Sequence, residues 1–412
     1  MKFTIDEPKI VSEIEALASI SEAEPPVVTR VVFTPTDLKA RVWLQSLCRQ
    51  AGLAVREDAI GNTFARWAGS DPSVPAVATG SHIDAIPNAG KYDGVVGVLG
   101  GLEAIRALQR SGFRPRHSIE LVLFTAEEPT RFGIGCLGSR MLSGTLSAET
   151  ARRLKDSHGT TLDDVRASAG MRGPLEAVQL TAGHYKAFVE LHIEQGPLLE
   201  HQAVPIGVVT SIAAPASLRI EIEGSGGHAG GVLMPGRRDA LCAASELILA
   251  VEHSARTSGA EDTVATVGIC EVFPGAVNSI PSRVRLSADI RDTDLKRRDT
   301  VMQQVETAAQ SIATARQVSI RSELLNADAP ATCASEVTEA LADSCKTHGL
   351  NFLPMVSRAY HDSLFMARIA PTGMLFIPSQ NGYSHRPDEY SSPENIARGV
   401  LVLAETLATL SQ

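Results

Sequence analysis

Histidines and acidic residues recur along the chain directly after segments with the pattern of buried strands. His82 and Asp93 lie in a turn-rich stretch after one such segment, and Glu127-Glu128 follows another. Two adjacent carboxylates at the end of a buried strand repel one another, which favours a bound cation over the alternative of a solvated acidic turn. The residues in these positions with metal-ligand chemistry are His82, Asp93, Glu128, His192 and His385.

Three imidazoles and two carboxylates, one of which can bridge, are the ligand set of a site for two divalent cations. Imidazole suits zinc and carboxylate suits manganese, so the residue types alone do not select the metal. Two cations about 3.5–4 Å apart share a water, lower its pKa and polarise a substrate carbonyl. This chemistry needs a further carboxylate as general base, and Glu127 beside Glu128 is the candidate. Asp84, two residues after His82, is expected to orient that ring by accepting its second N–H.

The elements that must position these residues are strands and helices in alternation. Near-continuous apolar runs predict strands covered on both faces around residues 74–79, 119–125, 187–191 and 374–378. Apolar residues from 95 to 105 recur at the spacing of a buried helix face. Open α/β sheets bind ligands outside the carboxyl ends of their strands. We therefore expect an α/β catalytic domain with a mixed, largely parallel sheet, helices on both faces and the candidate ligands at the strand ends.

The amino-terminal part carries signals for two helices and a hairpin. Residues 8–24 have the pattern of an amphipathic helix, and Thr34-Pro35 is typical of the start of a second helix. Strands are expected at 54–57 and 63–67, with Gly61-Asn62 as a two-residue hairpin turn.

A block with a different order of elements interrupts this pattern. It reads strand, helix, strand, strand, helix, strand, over residues 218–222, 239–256, 264–271, 283–291, 300–315 and 318–324. This is the order of a ferredoxin-like domain. We therefore expect residues 214–327 to form an inserted domain, and residues 1–213 and 328–412 to form the catalytic domain.

Charge and composition exclude several classes of function. A formal net charge of −9 over 412 residues opposes binding to a phosphate backbone, and no Lys/Arg-rich stripe compensates. No window is apolar over a membrane-spanning length, and the first seven residues carry charges where a secretory signal needs an apolar run. The six cysteines are scattered without a Cys-x-x-Cys pair. We expect a cytoplasmic protein with neither nucleic-acid nor membrane partners.

Five motifs stand in order along the chain and carry a family resemblance. They are Gly80-Ser81-His82-Ile83-Asp84, Tyr92-Asp93-Gly94, Glu127-Glu128, Glu190-Leu191-His192-Ile193-Glu194-Gln195-Gly196 and Gly227-His228-Ala229-Gly230-Gly231. Through them the chain resembles the M20 metallopeptidase superfamily, in its amidase/hydantoinase/carbamoylase branch, over essentially its whole length. The resemblance implies that Asp93 bridges two metal ions, that Glu127 is the base, and that the ferredoxin-like domain is both a lid and the surface of a homodimer. It also implies manganese as the metal, with zinc, nickel and cobalt as alternatives.

Two further motifs, residues 124–133 and 357–363, are similar to members of this branch that act on (S)-ureidoglycolate. The resemblance implies a small carboxylate substrate whose ureido group is hydrolysed, leaving glyoxylate and releasing ammonia and carbon dioxide. Arg291 suits the carboxylate, since a guanidinium binds such groups in bidentate fashion. Tyr360 stands where relatives more often have glycine and is expected to set the specificity. The full set of implied substrate contacts is Gln195, His228, Asn278, Arg291, Tyr360 and His361, with His228 acting in the site of the partner subunit.

Three other readings remain open at this stage. Amidohydrolases of N-carbamoyl-L-amino acids and of allantoate would share the metals and the attacked group, and would differ in the shape of the pocket. A metal-free binding protein on the same fold is the reading from another class. Loss of Glu127 or of one ligand would favour it, and all of these residues are present.

Overall fold

A computed structural model describes residues 3–412, and its main chain forms two compact units. The first unit comprises the residues up to Thr210 together with Cys333–Ser357 and His361–Gln412. The second comprises Ser211–Thr332 and Arg358–Tyr360. The second unit thus extends beyond residues 214–327 at both ends and includes Tyr360.

The elements are numbered in chain order. The strands are β1 (Val28–Arg30), β2 (Ala54–Glu57), β3 (Thr63–Trp67), β4 (Ala76–Ser81), β5 (Ala85–Ala89), β6 (Ile119–Leu123), β7 (Tyr185–Ile193), β8 (Ile206–Ile212), β9 (Ala214–Glu223), β10 (Gly227–His228), β11 (Val264–Phe273), β12 (Ser279–Ile280), β13 (Arg283–Asp292), β14 (Ser319–Ala327), β15 (Ala331–Thr332), β16 (Phe352–Ser357) and β17 (Thr372–Ile377). The helices are α1 (Glu7–Ala18), α2 (Pro35–Gln50), α3 (Val95–Arg110), α4 (Leu137–Leu142), α5 (Ala148–Arg153), α6 (Leu162–Ser168), α7 (Leu198–His201), α8 (Ala240–Arg256), α9 (Leu295–Arg316), α10 (Ser335–Thr347), α11 (Ser363–Met366) and α12 (Pro393–Leu410). Within residues 3–412, no helix combines the length and the apolar character that crossing a bilayer requires.

The first unit is built on a mixed sheet in the order β8-β17-β7-β4-β6-β3-β2. The central strands β17, β7, β4 and β6 run parallel, while β8 and the β3–β2 pair are antiparallel to their neighbours. Successive side chains of a strand point to opposite faces, and here each face has its own apolar core. Val77 of β4 joins the core that includes α3 and α12, whereas Ala78 joins the core that includes α4 and α6. The predicted mixed α/β sheet with helices on both faces is confirmed.

Helix α3 lies directly against the ends of two central strands. A methyl group on Gly97 would lie 2.4 Å from the carbonyl oxygen of Leu191 on β7 and 2.7 Å from Cβ of Ser81 on β4. Only glycine permits this approach. The amino terminus of α3, which follows Asp93, is therefore held beside the carboxyl ends of β4 and β7.

The second unit contains the four-stranded antiparallel sheet β11-β13-β9-β14, with α8 and α9 contributing to its core. The order of its elements along the chain is that of ferredoxin-like domains: strand, helix, strand, strand, helix, strand. The alternation in β13 is clean, because Val284, Leu286, Ala288 and Ile290 are all buried in this core.

Two local predictions are wrong. The β2–β3 connection is the five-residue segment 58–62, since Glu57 pairs directly with Thr63. The carboxylate of Asp58 accepts hydrogen bonds from the amides of Ile60 and Asn62 and from the Asn62 side chain. The longer turn therefore supplies hydrogen-bond acceptors for its own backbone amides. Helix α1 ends at Ala18 instead of continuing to residue 24.

Gly97→Ala should lower the free energy of unfolding. Forcing a methyl group into this contact costs about 1–3 kcal/mol, which outweighs the gain in helix propensity of about 1 kcal/mol. The urea midpoint of the whole protein measures the change. Gly268→Ala is the control, because its added methyl would meet nothing within 4 Å. Equal midpoints for the two variants would contradict the close approach.

Candidate metal centre

The candidate ligands converge because they follow four neighbouring parallel strands. His82 comes directly after β4, Glu128 lies five residues after β6, and His192 is the second-last residue of β7. His385 lies in the loop after β17, and Asp93 lies just before α3. Carboxyl ends of adjacent parallel strands meet on the same side of a sheet, which is where α/β folds place their ligands.

The carboxylate of Asp93 is shared between two groups of ligand atoms. Its Oδ1 lies 3.6 Å from His82 Nε2 and 3.2 Å from His192 Nε2. Its Oδ2 lies 3.3 Å from His385 Nε2, which is itself 3.4 Å from Glu128 Oε1. In each group the three ligand atoms lie within 4.8 Å of one another. One oxygen of Asp93 therefore faces each of two potential cation positions.

The charges of the cluster fit bound cations. Burial and the nearby charge of Asp93 raise the pKa of Glu128 to about 7. Burial would also raise the pKa of Asp93, but hydrogen bonds from His192, His385 and His82 outweigh it and hold that pKa well below its usual range. Carboxylates crowded in this way repel one another, and divalent cations would offset the repulsion. Imidazole and carboxylate donors fit zinc and manganese alike.

Main-chain carbonyls orient both buried imidazoles. His82 Nδ1 lies 3.0 Å from the carbonyl oxygen of Asp84, and His192 Nδ1 lies 2.9 Å from that of Ile193. Each ring therefore turns Nε2 toward Asp93. The prediction that the Asp84 side chain accepts the His82 N–H is wrong, since the nearer carboxylate oxygen is 3.7 Å away.

The side chain of Asp84 holds the acidic pair instead. Its Oδ1 accepts the amide of Glu127 at 3.2 Å and its Oδ2 accepts the amide of Glu128 at 3.1 Å. Glu127 Oε2 lies 3.7 Å from His82 Nε2, so this carboxylate borders the first group of ligand atoms. Burial raises the pKa of Glu127 well above its usual value, and the charge of Glu128 adds to the rise against the lowering effect of His82.

Asp93 is fixed by Gln195 and by two residues that the sequence analysis did not single out, Ser384 and Glu389. Gln195 Nε2 and Ser384 Oγ donate to its Oδ2 at 2.7 and 2.6 Å. The carboxylate of Glu389 accepts the amides of Tyr92 and Asp93, and its Oε2 lies 3.0 Å from Ser384 Oγ. Gln195, predicted to bind substrate, thus contacts the shared carboxylate. The position of Ser384 directly before His385 could have identified it from the sequence, whereas no sequence pattern pointed to Glu389.

A third group of potential ligand atoms consists of Glu190, His192 and His361. Both oxygens of Glu190 are engaged, one with the hydroxyl of Ser81 at 2.8 Å and the other with that of Ser363 at 2.6 Å. His361 is buried, and its ring packs edge-on against His192 with centroids 4.5 Å apart. His361 thus packs against a ligand of the first group, and both oxygens of Glu190 already have hydrogen-bond donors.

The other predicted substrate contacts, Arg291, Tyr360, His228 and Asn278, belong to the second unit. Arg291 on β13 binds Asp289 at 2.6 Å and the carbonyl of Arg358 at 3.2 Å, close in sequence to Tyr360. The Tyr360 hydroxyl donates to Asp328 at 2.6 Å. His228 and Asn278 meet at the β10–β12 ladder, where the carbonyl of Asn278 accepts the amide next to His228.

Comparisons with known proteins show which enzymes the chain is similar to. Residues 78–409 match the model of peptidase family M20/M25/M40. The chain is 54% identical to the ureidoglycolate hydrolase of Arabidopsis thaliana, over 99% of this chain and 87% of the relative. It is 39% identical to the N-carbamoyl-L-amino acid amidohydrolase of Geobacillus stearothermophilus, over 93% and 94%. The crystal structure of AtUAH in complex with glyoxylate superposes with a TM-score of 0.90 at 53% identity, over 99% of this chain and 98% of that chain.

Glu389→Ala should weaken metal binding although Glu389 lies outside both ligand groups. Loss of the acceptor for the Asp93 amide loosens the main chain that carries the shared carboxylate, and loss of such support costs about 10–100-fold in metal affinity. Competition with a chelating dye measures the affinity. Asp388→Ala is the matched control, because Asp388 is exposed and pairs with Arg386. If both variants bound metal equally well, Glu389 would have no part in fixing Asp93.

Proposed function

The chain belongs to peptidase family M20/M25/M40, a metal-dependent family, and from this premise we propose that it hydrolyses (S)-ureidoglycolate. One water is consumed, and the products are glyoxylate, two ammonia and carbon dioxide. The observation that carries the choice of substrate is the 54% identity to a ureidoglycolate hydrolase over 99% of the chain. A structure of AtUAH in complex with (S)-hydroxyglycine, at 53% identity, supports cleavage of the ureido group before glyoxylate is formed.

Two divalent cations, manganese in our proposal, would be held by the two groups that share Asp93. His82 and His192 complete the first group, and Glu128 and His385 complete the second. When bound, such ions activate water and polarise the carbonyl of the substrate. Gln195 and Ser384, through their hydrogen bonds to Asp93, keep the shared carboxylate in one orientation.

Glu127 acts as general base and then as general acid. Its carboxylate takes a proton from the attacking water and returns it to the nitrogen that leaves as ammonia. The carbamate that remains loses carbon dioxide, and the hydroxyglycine so formed loses the second ammonia to give glyoxylate. The side chain of Asp84 fixes the main chain of Glu127 and Glu128, so the base and the neighbouring ligand keep separate positions.

Substrate binding is assigned to His228, Asn278, Arg291, Tyr360 and His361, with Arg291 on the carboxylate. The guanidinium of Arg291 is already oriented by Asp289 and by the carbonyl of Arg358, and its remaining N–H groups can donate to a substrate carboxylate. We assign the ferredoxin-like unit as lid and homodimer surface, with His228 serving the site of the partner subunit, and we assign the protein to the cytoplasm. Light scattering of the purified protein tests the dimer.

A second candidate is hydrolysis of N-carbamoyl-L-amino acids, which the 39% identity to the Geobacillus stearothermophilus enzyme favours. Relatives named for allantoate are 32% identical. Both reactions use the same metal centre, so only the pocket separates them.

A panel of substrates should give ureidoglycolate the highest kcat/KM with the manganese-loaded protein. We expect at least about tenfold preference over allantoate and over N-carbamoyl-L-amino acids, since unpaired polar groups in a pocket penalise the wrong substrate. Ammonia release is the measurement. A preference for N-carbamoyl-L-amino acids would overturn the substrate and leave the metal centre intact.

Glu127→Gln should keep both metals while kcat falls by about 10²–10⁴, because an amide cannot accept the proton. Metal content is measured by plasma mass spectrometry and turnover by ammonia release. Glu149→Gln, an exposed change of the same chemistry, serves as control. Near-normal turnover would remove Glu127 from the role of base, and loss of a metal would make it a ligand.

A further inference from the structure

One buried thiol lies against the candidate base. Cys136 Sγ donates to Glu127 Oε1 at 3.4 Å, and Cys136 is fully buried. Buried cysteines ordinarily behave as small apolar residues. Cys48 and Cys345 do so, since both pack within the larger apolar core. The sulfur of Cys136 instead meets a carboxylate, which calls for a different explanation.

The backbone around Cys136 holds it in place. The amides of Cys136, Leu137 and Gly138 donate to the carbonyls of Glu127, Ala126 and Thr125, respectively, at 2.8, 2.9 and 2.8 Å. The start of α4 is therefore bonded residue by residue to the segment that carries the acidic pair. Cys136 has a left-handed backbone conformation with a φ of 54°. Residues other than glycine adopt this conformation only when their surroundings fix it.

The two oxygens of Glu127 have different surroundings. Oε1 faces the thiol, while Oε2 lies 3.7 Å from His82 Nε2 and borders the ligand atoms. A donor on one oxygen fixes the rotation of the carboxylate and leaves the other oxygen for the water. Burial, with the charges of Glu127 and Asp362, also raises the pKa of the thiol, so the sulfur keeps its hydrogen.

We propose that Cys136 is a positioning residue, whose thiol holds Glu127 Oε1 so that Oε2 is presented to the attacking water. This inference rests on the proposed role of Glu127 as general base. It does not depend on which ureido compound is the substrate, because the proton transfer is the same in each reaction.

Cys136→Ala should lower kcat about tenfold, with KM changed less than about twofold and metal content unchanged, since the interaction serves the transition state and not substrate binding. Cys136→Ser should recover part of the loss, because a hydroxyl also donates to a carboxylate. Cys345→Ala removes an equally buried thiol from the apolar core and should leave kcat unchanged. If Cys136→Ala and Cys345→Ala had the same kcat, the proposal would be overturned.

An infrared measurement on the resting protein tests the contact without turnover. The S–H stretching band that disappears in Cys136→Ala should move to higher frequency in Glu127→Gln, because an amide oxygen accepts more weakly than a carboxylate. An unmoved band would refute the contact. If the wild-type protein failed to hydrolyse ureidoglycolate, the proposed substrate would be wrong, while the infrared band would still test the contact between Cys136 and Glu127, and kcat with the substrate that is hydrolysed would test the role of Cys136.

Discussion

The candidate metal centre depends on the placement of one carboxylate, that of Asp93. Its two oxygens face different groups of ligand atoms, and each group takes its remaining members from other strand ends. A buried carboxylate in this position needs donors that fix its plane, and Gln195 and Ser384 provide them. Because Glu389 then binds both the Asp93 amide and Ser384, the segment before α3 and the loop after β17 are positioned together.

This placement explains the close approach of α3 to the sheet. Asp93 reaches both groups only if the start of α3 lies against the ends of β4 and β7, which Gly97 permits. Gly94 meets a related demand with a φ of +66°, and a methyl group there would lie 2.4 Å from the ring of His82. A side chain at either position would displace a ligand, so these glycines serve the site as well as the fold.

Sequence patterns predicted the strands and the ligand types because both signals are local. Apolar runs define central strands, and the polar residues that follow them share one side of the sheet whatever the details of packing. Glu389 could not be predicted as a site residue because its contact with Asp93 joins positions 296 residues apart. Asp84 was assigned the wrong contact because both its carbonyl and its side chain lie within reach of a ring two residues away, and only the backbone path decides between them.

The separate roles of Glu127 and Glu128 follow from their main chain. Ala126 turns the chain with a φ of 53°, and Asp84 then accepts the next two amides, one on each carboxylate oxygen. Neighbouring side chains on this fixed segment diverge, so Glu128 meets His385 while Glu127 borders His82. A base placed within a ligand group would bind a cation and lose its proton affinity. Fixing the two amides keeps Glu127 beside the first group of ligand atoms and Glu128 in the second, which is the separation that the proposed general-base role of Glu127 requires.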